Sequence, residues 1–106
     1  MIVFRLSKSE FAHDLSGRGA EKAGGRWNSK GTALVYTSES RALCTTEIAV
    51  HTPLGILPVD YVLIAIDIPA SVTVRELKAN ELPPDWKSLP HAHSTQEIGD
   101  AFVSEN

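Results

Sequence analysis

The stretch Ser16–His51, SGRGAEKAGGRWNSKGTALVYTSESRALCTTEIAVH, decides how the rest of the chain is interpreted. Five of the seven glycines of the chain lie between Gly17 and Gly31, and two arginines lie in the same segment. Glycine permits backbone conformations that are closed to other residues and lets the chain approach a ligand closely. A basic, glycine-rich segment is typical of loops that wrap around an anionic ligand. We therefore predict a ligand-binding loop from Gly17 to Gly31.

A strand and a helix are predicted directly after this loop. The apolar segment 33–37, ALVYT, has the composition of a buried strand. Ser38 and Ser40 are both candidates for the N-cap of the following helix. That helix is predicted to run to about His51, because Pro53 disfavours helical backbone at the residue before it.

Further strands are predicted on both sides of this stretch. Segment 2–6 is short, β-branched and aromatic, as is typical of a strand. Segment 61–68 is the most apolar run, and its length and β-branching favour a central strand. Segment 72–77 alternates between apolar and polar residues like another strand.

Two capping boxes predict two more helices. Ser7 with Glu10 indicates a short helix that ends at Gly17. Ser94 with Glu97 indicates a C-terminal helix with one apolar face, formed by Ile98, Ala101 and Phe102. A loop from Asn80 to Pro90 separates it from the last strand and anchors Trp86. Strands and helices interleave without a regular βαβ rhythm, so the predicted class is α+β. Because Phe102 has little chain after it to pack against, we expect the fold to be C-terminally incomplete.

Composition and length limit the classes of protein that the chain can belong to. With 106 residues, 42% of them apolar and 22% charged, it is predicted to be one globular domain. A net charge of −3 argues against nucleic acid as a direct partner. Cys44 is the single cysteine, so it excludes an internal disulfide, and we predict it to be a small buried hydrophobe in a cytoplasmic protein. No apolar run approaches the roughly 20 residues that a membrane span needs.

Glu47 is the first candidate for chemistry. At helical spacing its neighbours include Leu43 and Cys44, which would place the carboxylate on a mostly apolar, buried face. A buried carboxylate needs a partner and could stabilise a cationic transition state or orient a hydroxyl group. The alternative is a glutamate at the edge of the helix, exposed to water.

Two arginines and two aromatic residues are further candidates, each with a structural alternative. The Arg26 guanidinium suits a phosphate or carboxylate, and Trp27 could stack on a base, or both could simply anchor a surface loop. Arg5, the odd residue in a predicted strand, could be paired or functional, or lie on an exposed strand face. Tyr36 could stack on a ligand or pack in the core. The glycine spacing is not the dinucleotide-binding fingerprint.

Metal binding is not predicted. The histidines lack a spacing with cysteine or with a carboxylate cluster that would form a metal site. They are His13, His51, His91 and His93.

Several motifs, weak one by one, form a specific combination over nearly the whole chain. They are Phe4-Arg5, Gly17-Arg18-Gly19-Ala20, Gly24-Gly25-Arg26-Trp27-Asn28, Gly31, Val35-Tyr36-Thr37-Ser38, Glu47 through His51, and Ser94-Thr95-Gln96-x-x-Gly99-Asp100. This combination resembles the RES domain, the toxin half of bacterial RES–Xre toxin–antitoxin systems. The resemblance implies a single RES domain over residues 1–106 that lacks its C-terminal strands.

The resemblance also implies a fold similar to the ADP-ribosyltransferases and NAD⁺ as the substrate, with no metal. Glu47 matches the family glutamate, and Arg5 and Arg26 are the two positions that match its arginine. The family serine is expected in a strand beyond Asn106. Within the chain itself, Ser38 and Ser104 are the candidates for its position.

An NAD⁺ site follows from these matches. Glu47 would stabilise the cation that forms when nicotinamide leaves, the two arginines would hold the pyrophosphate, and Tyr36 or Trp27 would flank the nicotinamide. The residues implied to act in catalysis are Glu47, Arg26, Arg5 and Tyr36. Those implied to bind NAD⁺ are Gly25, Arg26, Trp27, Asn28, Tyr36 and Ser38.

The implied function is a cytoplasmic toxin that cleaves NAD⁺ by hydrolysis or phosphorolysis and so arrests growth. The alternatives are ADP-ribosylation of a specific protein, or an inactive module that binds NAD⁺ or its antitoxin. The implied partner is an Xre-type helix-turn-helix antitoxin, in a complex in which the toxin could form a homodimer. No membrane and no direct nucleic-acid contact are implied.

Overall fold

The computed structural model describes residues 1–51 and 59–105, with the backbone alone for residues 48–51. These residues form strand β1, helices α1 and α2, strand β2 and helix α3, together with two short 3₁₀ turns. Their bounds in chain order are β1 Ile2–Lys8, the first 3₁₀ turn Ser9–Phe11, α1 Arg18–Ala23, α2 Arg41–His51, β2 Tyr61–Asp67, the second 3₁₀ turn Ala79–Glu81, and α3 His93–Glu105. This mixture of helix and strand agrees with the predicted α+β class.

The chain divides into two units. The first unit consists of Met1–Leu15 with Tyr36–Thr73, and the second consists of Ser16–Val35 with Val74–Asn106. Over the described ranges 1–51 and 59–105, no helix has the length and apolar character that crossing a membrane requires.

An antiparallel pair of strands forms the sheet of the first unit. β1 and β2 run in a register that places Ile2 opposite Asp67 and Arg5 opposite Ile64. The prediction of strands over 2–6 and 61–68 is therefore confirmed. The prediction that the second of these strands is central is wrong for the described residues, because their sheet has two strands. Within β2, Ile64 and Ile66 are partly buried and the other side chains are exposed.

Helix α2 packs on β1 in the same unit. Its N-cap is Ser40, whose Oγ accepts a hydrogen bond of 3.1 Å from the amide of Leu43. Cys44 is buried with 5% of its surface exposed, and its thiol donates to the carbonyl of Phe4 at 3.2 Å. The predictions of this helix and of a buried Cys44 are confirmed. Its predicted end before Pro53 lies at the edge of the described residues, which reach His51.

Two predicted strands are not formed. Segments 33–37 and 72–77 lie in irregular backbone, although both are apolar enough for a strand. A strand needs a partner for its backbone groups, and neither segment has a strand partner among the described residues. The backbone of Leu34 instead packs closely on Gly17, where an added Cβ would lie 2.7 Å from the Leu34 nitrogen.

The first capping box and the long loop also differ from their predictions. Ser7 pairs with Val62 in the sheet, so it cannot cap a helix, and one 3₁₀ turn replaces the predicted helix. The predicted loop from Gly17 to Gly31 contains α1. Gly17 precedes that helix with a φ of 77°, a left-handed conformation that favours glycine.

The C-terminal helix is confirmed, but its capping box is not, and of its predicted apolar face Ile98 and Phe102 line a common apolar groove whereas Ala101 does not. α3 begins at His93, so Ser94 lies inside the helix, and its hydroxyl donates to Asp85 at 2.7 Å. Ala101 is exposed, and Phe102 is 36% exposed. The buried residues of α3 are Thr95 and Gly99, because this helix packs through small residues onto polypeptide backbone.

Candidate functional site

The predicted ligand loop of the second unit centres on a tight turn, Gly25–Asn28. The amide of Gly25 donates to the carbonyl of Asn28 at 3.0 Å and closes the turn. The Asn28 side chain is fully buried, and its Nδ2 donates to the carbonyls of Ala20 at 2.8 Å and Thr32 at 3.0 Å. Asn28 therefore joins the turn to α1 and to the chain that follows.

The guanidinium group of Arg26 is hydrogen-bonded to backbone carbonyls of the same unit. Its Nη1 donates to the carbonyl of Trp86 at 2.6 Å and to that of Ser88 at 3.0 Å. The side chain is half-buried. This geometry agrees with the alternative in which Arg26 anchors a loop, and it fixes the segment around Trp86 to the turn.

Asp100 on α3 holds the end of the same turn. Its Oδ1 accepts a hydrogen bond of 2.9 Å from the backbone amide of Ser29. Hydrogen bonds from the side chain and backbone of Ser29 lower the pKa of this carboxyl, with smaller contributions in the same direction from Thr32 and His93. Desolvation acts in the opposite direction. The carboxylate form of Asp100 is therefore the one that stabilises the turn.

Trp27 is half-buried and lines an open, mostly apolar groove within the second unit. Arg75 supplies a charged group to this groove and lies 3.9 Å from Glu105. The other residues that line it are Leu34, Leu77, Ile98, Gly99 and Phe102. A ring or another flat apolar group fits the character of this lining.

In the first unit, Arg5 is paired with backbone. Its Nη1 donates to the carbonyl of Phe11 at 2.8 Å and to that of Ala12 at 2.9 Å. These bonds fix the chain that follows β1. Of the two alternatives for Arg5, the structure therefore favours a paired side chain.

Three further predicted site residues lie in the first unit. Tyr36 is 42% exposed. Ser38 exchanges two backbone hydrogen bonds of 2.8 Å with Phe4, so it is fixed to β1. Glu47 is exposed, so of its two predicted positions the structure favours the exposed edge of the helix over the buried face. Within Arg41–Glu47, α2 buries Cys44, a narrower face than the apolar pattern predicted.

The structure thus places the predicted site residues in two groups. Gly25, Arg26, Trp27 and Asn28 form one turn of the second unit. The first unit holds Arg5, Tyr36, Ser38 and Glu47.

Helix α3 carries contacts that sequence reasoning left without a role. Thr95, Gln96 and Asp100 all bond the backbone of residues 25–29. The Ser94–Asp100 motif contained a signal for these contacts, because its small and polar residues recur at the spacing of one helix face. A search of the described ranges finds no group of three or more His, Cys, Asp or Glu residues placed to hold a metal ion.

Comparison with known proteins gives one family over nearly the whole chain. The family model described as RES domain matches residues 2–106. A protein named Toxin Res from Photorhabdus laumondii is 37% identical over 100 residues, which cover 93% of this chain and 64% of the relative. A protein named Prs ADP-ribosylating toxin from Sphingobium is 43% identical over 94 residues, which cover 87% of this chain and 58% of the relative.

A further relative, also named Toxin Res, comes from Yersinia enterocolitica. It is 33% identical over 104 residues, which cover 97% of this chain and 68% of that protein. The matched part of the chain thus spans 58% to 68% of the length of these three relatives, and less than two thirds of the first two.

Proposed function

Because the chain belongs to the RES domain family, we propose that it is part of a bacterial toxin that consumes NAD⁺ by cleaving the nicotinamide–ribose bond. The similarity to the Prs ADP-ribosylating toxin carries this proposal. ADP-ribosylation transfers the ADP-ribose part of NAD⁺, so it requires cleavage of that bond. Hydrolysis and phosphorolysis of NAD⁺ share the same first step and differ only in the acceptor.

Glu47 is the residue to which we assign stabilisation of the transition state. As the bond breaks, nicotinamide leaves with the electron pair and positive charge develops on the ribose. A carboxylate beside the ribose stabilises that charge. The exposure of Glu47 supports this role, because an exposed carboxylate is accessible to a substrate. Water or phosphate then bonds to the ribose carbon and loses a proton.

Arg5 and Arg26 are proposed to bind the pyrophosphate of NAD⁺. Each holds carbonyl oxygens through Nη1, which fixes the position of the guanidinium group. A fixed positive charge binds an anion with less loss of side-chain freedom than a mobile one. The same bonds imply that each arginine contributes to stability as well as to binding.

The other predicted residues are proposed to shape the NAD⁺ site. Trp27 and Tyr36 offer rings against which nicotinamide can stack. Gly25, Asn28 and Ser38 act mainly through backbone that is fixed by hydrogen bonds. No step of this scheme needs a metal. An ADP-ribosyltransferase-like fold belongs to the same proposal.

The primary test is to incubate the purified protein with NAD⁺ and to identify the products by NMR. We expect free nicotinamide together with ADP-ribose, or with ADP-ribose 1-phosphate when phosphate is present. Intact NAD⁺ after prolonged incubation would contradict NAD⁺ cleavage with water or phosphate as the acceptor.

The second candidate function is ADP-ribosylation of a specific protein, and the name of the Sphingobium relative favours it. This candidate predicts one discrete labelled band when the protein is added to a bacterial lysate with labelled NAD⁺. Release of free ADP-ribose without a labelled protein would favour hydrolysis instead.

The proposed biological role is the same whether water, phosphate or a protein accepts the ADP-ribose group. We propose a cytoplasmic toxin that arrests growth and is neutralised by an Xre-type helix-turn-helix antitoxin. Induced expression should stop bacterial growth, and co-expression of an Xre-type antitoxin that binds this protein should restore it. Normal growth with soluble, folded protein would contradict the toxin proposal, and would favour an inactive module that binds NAD⁺ or the antitoxin.

A further inference from the structure

Helix α3 contacts the predicted ligand turn almost residue by residue. Thr95 is fully buried, and its Oγ1 lies 2.6 Å from the carbonyl oxygen of Arg26. The same oxygen lies 3.0 Å from the carbonyl of Ala92, so its single proton can be donated to one of the two at a time. The hydroxyl therefore ties the backbone of the turn to the first turn of α3.

Gln96 supplies the next contact. Its Nε2 donates to the carbonyl of Gly25 at 3.0 Å and to that of Asn28 at 3.3 Å. These carbonyls belong to the first and last residues of the tight turn. One amide group therefore bridges both ends of the turn.

Two further residues of α3 complete this set. Gly99 lies so close to the turn that an added Cβ would overlap the carbonyl oxygen of Trp27. Asp100 accepts the amide hydrogen of Ser29. Each residue from Gly25 to Ser29 thus has a backbone group bonded to, or in close contact with, one face of α3.

The groups on this face of α3 are complementary to the backbone groups of the turn. Two side chains donate to carbonyl oxygens, one carboxylate accepts an amide hydrogen, and a glycine permits close approach. Over the described ranges, every buried side-chain nitrogen and oxygen has a hydrogen-bond partner. Fixing a loop in its binding conformation before the ligand arrives lowers the entropy cost of binding.

We infer that Thr95, Gln96, Gly99 and Asp100 form a clamp that positions the Gly25–Ser29 turn for NAD⁺. These are positioning residues, since they act on the substrate through the turn. The inference rests on the proposed function for its substrate. Its central consequence is that loosening the clamp weakens NAD⁺ binding and leaves the chemical step at Glu47 largely unchanged.

Gln96→Glu is the most informative variant, because it keeps the size of the side chain and replaces the donor by a carboxylate. The carboxylate repels both carbonyl oxygens at neutral pH, whereas the protonated acid can donate a hydrogen bond again. We expect the KM for NAD⁺ to rise by about tenfold at pH 8, with kcat within about twofold of the parent. The KM ratio of variant to parent should fall as the pH is lowered to about 5, where the introduced acid begins to protonate.

Glu97→Gln is the matched control, because it exchanges the same two groups at the next residue of α3. Its side chain is 67% exposed and contacts His93. We expect this variant to keep the KM and the pH profile of the parent. A conservative Thr95→Ser variant should also keep both, whereas Thr95→Val should raise the KM.

Backbone amide exchange of Gly25–Ser29, measured by NMR, gives a readout that is independent of NAD⁺. We expect faster exchange in Gln96→Glu and unchanged exchange in Glu97→Gln. Unchanged exchange in both Gln96→Glu and Thr95→Val would overturn the clamp. Faster exchange with an unchanged KM would overturn its role in NAD⁺ binding. A parent protein that neither cleaves nor binds NAD⁺ would contradict the proposed function, and the exchange data would still decide whether the clamp exists.

Discussion

The side chain of Asn28 bonds to the protein's own backbone. It is fully buried, and its amide nitrogen donates to carbonyls of Ala20 and Thr32. A sequence pattern of glycine, arginine, tryptophan and asparagine suggests ligand contacts, but a buried amide with carbonyl partners acts first on the conformation of the turn. Any effect of Asn28 on NAD⁺ is therefore expected to pass through stability and backbone geometry.

Asn28→Asp tests this role at nearly constant shape. The substitution replaces a donor by a charged acceptor that faces carbonyl oxygens. We expect a loss of about 3 kcal/mol in the free energy of unfolding, measured by urea denaturation. The same exchange at the exposed Asn80 should change it by about 0.5 kcal/mol or less. Equal effects at the two positions would contradict the buried role of Asn28.

Asp100 gives the turn a pH dependence. Hydrogen bonds from Ser29 lower the pKa of this carboxyl below its ordinary value of 3.8. A group with a lowered folded-state pKa contributes stability that is fully present above its unfolded-state pKa and is lost as the pH falls through the folded-state value. The parent protein should therefore exceed Asp100→Asn in stability near neutral pH.

Urea denaturation of both proteins over a range of pH checks this prediction. The advantage of the parent should persist down to about pH 4 and then shrink at lower pH. Glu76→Gln, a carboxylate-to-amide change at an exposed position, serves as the control and should show no such pattern. An advantage that stays constant, or grows, on acidification would show that the Asp100 carboxylate does not stabilise the turn.

Among the elements, α3 has a position that depends on one small residue, Gly99. The surface of α3 that meets the turn is small and polar, and Gly99 leaves no room for a side chain there. The face of α3 that sequence reasoning predicted as buried was apolar and included Phe102, which is 36% exposed. Helical spacing identified the helix correctly, but it could not show that the surface opposite α3 would be polypeptide backbone.

Gly99→Ala is expected to separate α3 from the turn. The added methyl group would overlap the Trp27 carbonyl, so the helix or the turn must shift, at a cost of about 3 kcal/mol or more. Gly19→Ala in α1 is the matched control, because an added Cβ there meets nothing within 4 Å. That control should be neutral or stabilising by up to about 1 kcal/mol. Comparable thermal stability of the two variants would contradict the close packing of Gly99.

The sequence predicted the elements that have strong local signals. Strands 2–6 and 61–68, the helix begun by Ser40 and the burial of Cys44 follow from β-branching, capping and helical spacing. It failed at segments 33–37 and 72–77, because a strand exists only with a partner, and partners are a property of the tertiary fold. It also left open whether Glu47 is buried or exposed, and the exposed position fits the proposed chemistry better.

Over the whole molecule, some of the proposed site residues are expected to contribute to the stability of the fold as well as to NAD⁺ binding. Arg5 and Arg26 hold backbone carbonyls, so their replacement should impair stability and activity together. For Arg26→Ala we expect a loss of about 2 kcal/mol in the free energy of unfolding, checked by urea denaturation in parallel with activity. Activity lost at unchanged stability would mean that the bonds from Arg26 to Trp86 and Ser88 contribute little to the fold.

Glu47 tests the central claim most directly, because its assigned role is to stabilise the transition state. The decisive measurement is the initial rate of nicotinamide release from NAD⁺ by the parent, by Glu47→Gln and by the control Glu39→Gln, an exposed glutamate of the same unit. Loss of the carboxylate should lower kcat by at least about a hundredfold in protein that is still folded, whereas the control should keep its rate. A Glu47→Gln protein that releases nicotinamide at the parental rate would contradict the assignment of Glu47 and the mechanism built on it.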